Sequence, residues 1–153
     1  MRLALYQPDI ASNAGAIFRL AAVLGVKVDL IEPAGFVMTD RRLQRVGMDY
    51  LNDVEIVKHT SWESYSVARN KQASLYGRLL LLTTSGDNRY SNFDFLEHDT
   101  LLVGRETAGV PLAVHDAADF RLRVPMKPGQ RSLNVVVAIA MVLGEALRQT
   151  NLW

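Results

Sequence analysis

The first 31 residues confine this chain to a narrow set of folds. Arg2 to Tyr6 is a short, mostly apolar run that reads as a strand entering a core, and Val26 to Ile31 reads as a second one. Between them a helix is predicted from Ser12 or Asn13, with Ile17, Leu20, Ala21 and Leu24 on one face and Gly25 as its stop. Strand, helix and strand within about 30 residues make a parallel crossover. A chain that begins this way is committed to helices packed on a mostly parallel sheet, an α/β architecture.

The remaining elements follow the same alternation. Glu32-Pro33-Ala34-Gly35 is a loop, and Thr39 or Asp40 caps a short basic helix carrying Arg41, Arg42, Leu43 and Arg45, stopped by Gly47. Val54–Val57 is predicted as a third strand, and Ser61–Arg69 as a surface helix with Trp62, Tyr65 and Ala68 turned inward. Leu79–Thr83 is a continuous apolar run suited to a strand buried on both faces. Leu101–Val103 is another, and Arg121–Val124 a third, edged by charge. From Leu133 to Leu143 nearly every residue is apolar, and a helix apolar all round must be covered on more than one side. That points to a partner subunit, although the β-branched Val135-Val136-Val137 leaves a strand open as the alternative. With no internal repeat, low-complexity tract or linker, residues 1–153 are read as a single domain.

Composition excludes several chemistries. There is no cysteine, so neither a disulfide nor a thiolate nucleophile is available. His59, His98 and His115 lack metal-ligand spacing. No G-x-G-x-x-G opens a helix, and neither a Walker phosphate loop nor a G-x-S-x-G elbow is present. The N-terminus has no apolar signal-like region, and the longest apolar run, Val135–Leu143, falls well short of the roughly 20 residues of a membrane span. A cytoplasmic protein without membrane contact is expected. The formal net charge of +1 says little about partners. Its distribution says more, because Arg41, Arg42 and Arg45 crowd one segment, and Arg121, Arg123, Lys127 and Arg131 another. Such clusters can neutralise phosphates, and charge alone does not separate them from ordinary solvated faces.

In open parallel sheets, ligands bind outside the carboxyl ends of the strands. Three loops therefore draw notice: Thr83–Gly86, Gly104–Pro111 and Pro125–Ser132, each following a buried strand. Taken singly, each is compatible with plain turn chemistry. Three of them after three core strands point to a shared pocket. Asn13–Arg19 sits at the first strand-to-helix transition, where helix amides suit phosphate. There Arg19 either satisfies a carboxylate structurally or faces a site.

Taken together and in this order, these residues resemble the SpoU/SPOUT class of RNA 2′-O-ribose methyltransferases. The family pattern N-x-G-x-x-x-R appears as Asn13, Gly15 and Arg19. Its G-x-E-x-x-G-[VIL]-P appears as Gly104, Glu106, Gly109, Val110 and Pro111. The closing pattern appears as Val124-Pro125-Met126 and Arg131-Ser132-Leu133-Asn134, and the match runs from Leu3 to Gln149. The short chain, with L-I-E-P-A-G-F and D-R-R-L-Q-R-V-G-M-D-Y, resembles minimal members that methylate the wobble ribose (cytidine or uridine, position 34) of leucine tRNAs. Two departures from the pattern stand out. Arg105 stands where proline is common and Ala108 where arginine is common, and Val135-Val136-Val137 follows Asn134.

The resemblance implies a C-terminal trefoil knot over about residues 79–149, S-adenosylmethionine as cofactor with S-adenosylhomocysteine as product, and a homodimer. It implies that Leu82, Gly104, Val124, Met126, Ser132 and Leu133 line the cofactor. Arg19, Glu106 and Asn134 become the catalytic candidates. Because guanidinium groups stay protonated in proteins, Arg19 is expected to hold a phosphate and stabilise the developing alkoxide, with Glu106 and Asn134 orienting Arg19 and the ribose. For Glu106 a carboxylate pinning its own loop stays open, as does a mere helix-starting role for Asn134. No metal is called for, since a sulfonium already supplies the electrophile. Asn13, Arg41, Arg42, Arg45, Arg121 and Arg123 are the candidates for contact with a tRNA anticodon stem-loop. A dimer offers a way to bring one subunit's Arg19 to the other's cofactor. A non-catalytic knotted RNA-binding module and a methyltransferase acting at another RNA site are the competing readings.

Overall fold

A computed structural model describes residues 1–152, the side chains of Met48 and Asp49 excepted. The opening crossover forms as expected: β1 (Arg2–Tyr6), α1 (Ala11–Leu24) and β2 (Lys27–Ile31). The first helix starts at Ala11, one residue before the earlier of the two predicted starts, with Ile10 in the N-cap position and no side-chain hydrogen bond there. Gly25 ends it in the left-handed region, at φ +65°. After α2 (Arg41–Gly47) and a short 3-10 turn comes β3 (Ile56–His59), two residues later than predicted. The shift has a local cause: the amides of Asp53 and Val54 both bond back to the Tyr50 carbonyl, which draws them into the preceding turn. The second half holds α3 (Trp62–Lys71), α4 (Ala73–Tyr76), β4 (Leu79–Leu82), β5 (Asn88–Arg89), β6 (Thr100–Val103), α5 (Leu112–Ala117), β7 (Phe120–Arg123) and α6 (Val135–Thr150).

These strands form one seven-stranded sheet in the order β3-β2-β1-β6-β4-β7-β5. Every pairing is parallel. Side chains alternate across it, so Leu3, Leu5, Leu80 and Leu101 pack beneath α1, α2 and α6. Ala4, Leu79, Leu81 and Leu102 pack against Tyr65, Tyr76 and Val114 of α3, α4 and α5. Both faces are thus covered, as the continuous apolar runs require. Among the described residues, no helix is long and apolar enough to cross a membrane.

The valine run after Asn134 is helical. The Asn134 side-chain oxygen accepts from the amides of Val136 (2.8 Å) and Val137 (3.4 Å), and this cap with tertiary packing outweighs β-branched propensity. Ile139, Val142, Leu143, Ala146 and Leu147 then face the sheet and are buried. On the other side, Val137 is 48% and Met141 40% exposed, an apolar stripe that the single chain leaves open.

The α3 side also buries charge. The fully buried Asp29 carboxylate accepts from Arg2 at 2.8 and 3.0 Å and from the Tyr76 hydroxyl at 3.3 Å, with His59 Nε2 also 2.8 Å away. Desolvation, and then the neighbouring Asp29 charge, push the Tyr76 hydroxyl above its ordinary pKa. These contacts tie the start of β1 and the middle of β2 to the end of β3 and to α4.

Gly15, on α1, marks a close approach to α2. A Cβ there would lie 2.6 Å from the Leu43 carbonyl oxygen and 3.2 Å from the Gly47 nitrogen, both backbone atoms. Gly15→Ala gains about 1 kcal/mol of helix propensity but forces two helices apart at a cost of about 1–3 kcal/mol. The clash is expected to win, lowering the thermal midpoint by about 2–8 °C in a calorimetric scan.

Candidate active site

Parallel register brings the carboxyl ends of four strands to one edge. Leu5 pairs with Val103, Val103 with Leu82, and Leu82 with Leu122, so the segments following β1, β4, β6 and β7 emerge side by side. They enclose a cavity of about 520 Å³, within the range of small-molecule sites. Leu82, Val103, Val124, Val135 and Ala138 give it apolar walls, while Thr83, Thr84, Arg131 and Ser132 add polar ones. All six residues expected to line a cofactor are there: Leu82, Gly104, Val124, Met126, Ser132 and Leu133. Gly104 has no room for a side chain, since a Cβ would fall 2.5 Å from the Gly109 carbonyl carbon and 2.8 Å from Val110.

Three distant segments meet in the cavity wall through one chain of hydrogen bonds. Asn134 spends its side-chain oxygen on the first amides of α6, which turns its NH2 group outward to donate to Asn13 Oδ1 at 3.3 Å. Asn13 must then present its own NH2, and donates to Glu106 Oε1 at 3.1 Å. The second oxygen, Glu106 Oε2, accepts from the Asp9 amide at 2.8 Å. Each amide orientation is fixed by its neighbour, and the whole chain is set by a carboxylate that only accepts and a helix end that only donates. Glu106 therefore pins the start of α1 and not merely its own loop. Asn134 starts its helix and joins the site as well.

Asp9, which follows β1, completes the arrangement. Its carboxylate accepts from Arg105 Nε at 3.1 Å and from the Arg105 terminal nitrogen at 2.8 Å, both on Oδ1. The Thr107 hydroxyl and amide bond to Oδ2. Arg105, then Thr107, hold the Asp9 carboxyl below its usual pKa. Neither the role of Asp9 nor that of Ile10, which also lines the cavity, was anticipated from the sequence. The signal in the sequence was slight: an acidic residue just before a helix reads as a cap, and its true partner lies 96 residues away.

Arg19 is elsewhere. It is exposed on α1, outside the cavity lining, with its guanidinium carbon 5.0 Å from the Tyr50 ring centre. Arg41, Arg42 and Arg45 are exposed on α2, the helix packed against α1. Arg121 and Arg123 are half-buried and donate within the chain, to the carbonyls of His115 (2.7 Å) and Gly86 (2.8 Å). The structure thus gathers Asn13, Glu106 and Asn134 with the six lining residues, leaves Arg19 and the α2 arginines on other surfaces, and engages Arg121 and Arg123 with backbone carbonyls. Among the described residues, no three His, Cys, Asp or Glu side chains gather to hold a metal ion.

A family model described as the SpoU rRNA methylase family matches residues 1–144. The chain belongs to this family. A tRNA (cytidine(34)-2′-O)-methyltransferase of Beijerinckia indica is 53% identical over 149 residues, covering 97% of this chain and 91% of the relative. A solved structure concerned with "2-OH methylation of C/U34 on tRNA" aligns with a TM-score of 0.87 and 37% identity, over 97% of this chain and 94% of the other. The SpoU methyltransferase AviRb of Streptomyces viridochromogenes, solved with its cofactor AdoMet, aligns with a TM-score of 0.86 and 28% identity. That alignment covers 97% of this chain and 57% of AviRb. In this SpoU methylase, the family's three sequence motifs are the three segments joined by the Glu106–Asn13–Asn134 chain.

Substitution at Asn134 separates its two tasks. Asn134→Asp keeps a side-chain oxygen at the helix start, where Asp caps as well as Asn, but removes the donor to Asn13. Its melting temperature is expected to stay near the parent's while methyl transfer falls about tenfold or more. Asn134→Ala is expected to lose about 1 kcal/mol of stability in addition, read by thermal unfolding.

Proposed function

We propose that this chain is a tRNA 2′-O-methyltransferase. It moves a methyl group from S-adenosylmethionine to the ribose 2′-oxygen of the wobble nucleotide, cytidine or uridine 34, of leucine tRNAs. The observation that carries this reading is the hydrogen-bonded meeting of Asn13, Glu106 and Asn134 in the wall of a cavity that Gly104 also lines. The 53% identical relative bears the name of that activity.

The cavity suits the cofactor on its own terms. Leu82, Val103, Val124 and Ala138 offer flat apolar cover for an adenine, and Thr83, Thr84 and Ser132 offer polar partners for ribose and amino-acid groups. The crowded backbone at Gly104 allows close approach where a side chain would fill the space. Met126 and Leu133 complete the apolar lining. When bound, S-adenosylmethionine supplies an electrophilic sulfonium methyl. The protein's part is to hold the ribose 2′-oxygen in line and to stabilise the charge that develops as its proton leaves. In this reading Glu106 and Asn134 orient the ribose end of the site. Arg19 grips phosphate and steadies the alkoxide rather than acting as a base.

Arg19 lies outside its own chain's cavity, so we assign it to the site of a partner subunit. A homodimer is supported by the open stripe of Val137 and Met141 on α6. Arg41, Arg42 and Arg45, exposed beside α1, then extend the phosphate-binding surface for an anticodon stem-loop. Arg121 and Arg123 contribute to it only through guanidinium groups already engaged with backbone carbonyls. Residues 1–153 act as a single domain, and residues from about 79 to 149 form a trefoil knot. Support for the knot comes from the sheet order, in which β4 lies between the later strands β6 and β7. A cytoplasmic location follows from the tRNA substrate.

Tritiated S-adenosylmethionine and leucine tRNA from cells lacking this activity provide the test. Label is expected on the wobble ribose, reduced by Arg19→Ala about a hundredfold or more. Absence of label with a folded, cofactor-binding protein would sink the wobble assignment. Met141→Glu, which puts a charge on the open stripe, is expected to shift the sedimentation coefficient from dimer to monomer and abolish label with it.

A further inference from the structure

Three consecutive residues of the loop after β6 grasp one residue before α1. Arg105 takes one oxygen of the Asp9 carboxylate and Thr107 the other, while between them Glu106 accepts the Asp9 amide. We propose that Arg105 is a positioning residue: by gripping Asp9 it holds Glu106, and through it the amides of Asn13 and Asn134, at the cavity wall. The inference rests on the methyltransferase reading for its kinetic test, and it has a second test that does not.

Each end of the latch is anchored differently. Asp9 is held from behind, because the Gly35 amide donates to the Pro8 carbonyl at 2.9 Å. A Cβ on Gly35 would lie 2.8 Å from the Asp9 carbonyl oxygen, so the two segments are in close backbone contact. On the loop side, Arg105 and Gly109 exchange both backbone hydrogen bonds, at 3.0 and 2.8 Å, and Gly109 turns the chain at φ +65°. This pairing shapes the loop but does not join it to α1. The Asp9 and Glu106 contacts, with Asn13, make that join.

Glu106 alone has two oxygens and two partners there. Without the latch, the loop can swing about its own closed turn and carry the carboxylate off Asn13. Once that acceptor leaves, the Asn13 amide has no fixed sense and the bond from Asn134 loses its partner. Arg105 is 43% exposed and Asp9 15%, so the ion pair sits at the cavity rim. Its strength there comes from several charge-assisted hydrogen bonds on one carboxylate, not from simple attraction in water. A guanidinium spent on Asp9 is also withheld from tRNA phosphate.

A double-mutant cycle tests this. Arg105→Ala and Asp9→Ala are each expected to lower kcat about tenfold with the tRNA KM within about twofold, and the double variant to be no worse than either single. Arg105→Lys, which keeps one donor for Asp9, should recover part of the loss. Independently of activity, the side-chain amide resonances of Asn13 and Asn134 should move in both single variants while the thermal midpoint holds. Additive losses in the cycle would overturn the proposal. So would a raised, salt-sensitive tRNA KM with unchanged kcat and unmoved amide resonances, which would make Arg105 a phosphate contact. If the parent protein itself labels no tRNA, the function assignment falls, and the amide resonances alone decide for or against the latch.

Discussion

Parallel pairing on either side of β1 is the constraint from which the site descends. Strands of a parallel sheet all finish at the same edge, and their turns must emerge there. With β1 between β2 and β6, and β4 beyond, residues just after Tyr6, Leu82, Val103 and Arg123 become neighbours. Helices on both faces keep the backbone pairing dry, so the sheet cannot slip to relieve a poor loop. The loops must adapt to one another, and Gly104 marks where backbone comes too close for a side chain.

Polar order at that edge is transmitted from two fixed ends. The first amides of α6 can only donate, and the Glu106 carboxylate can only accept. Two asparagines span the gap, each with one donor side and one acceptor side, so their orientations follow without further contacts. Such a chain is costly when half-satisfied and stiff when complete. It differs in kind from the buried Asp29 group on the opposite face. There one carboxylate is surrounded by an arginine, a histidine and a tyrosine, none of them in the cavity lining, that knit strands together.

The helix that supplies Asn134 also faces two ways. Its sheet side is packed, while Val137 and Met141 on its outer side stay exposed in the single chain. The same division appears among the basic residues. Arg121 and Arg123, alternate residues on β7, use their guanidinium groups to tie a helix end and a loop to the sheet. Arg19 and the α2 arginines remain on the surface.

Much of this was legible in the chain itself. Apolar runs and glycine stops determined the strand-helix-strand opening, the buried strands at Leu79 and Leu101, and an α/β fold with a parallel sheet, because period and burial are local properties. Three motifs in order pointed to the family, and that resemblance in turn implied the six residues now found lining the cavity. Boundaries failed where hydrogen bonds to nearby turns intervened, as at Val54, and the valines after Asn134 read two ways until a cap decided them. Only the tertiary structure set Asn13 between Glu106 and Asn134, gave Asp9 to Arg105, and put Arg19 outside its own cavity. Those facts depend on partners about 90 to 120 residues apart, as with Asn13 and its two neighbours. A sequence states which groups can bond; only the folded sheet edge determines which of them meet.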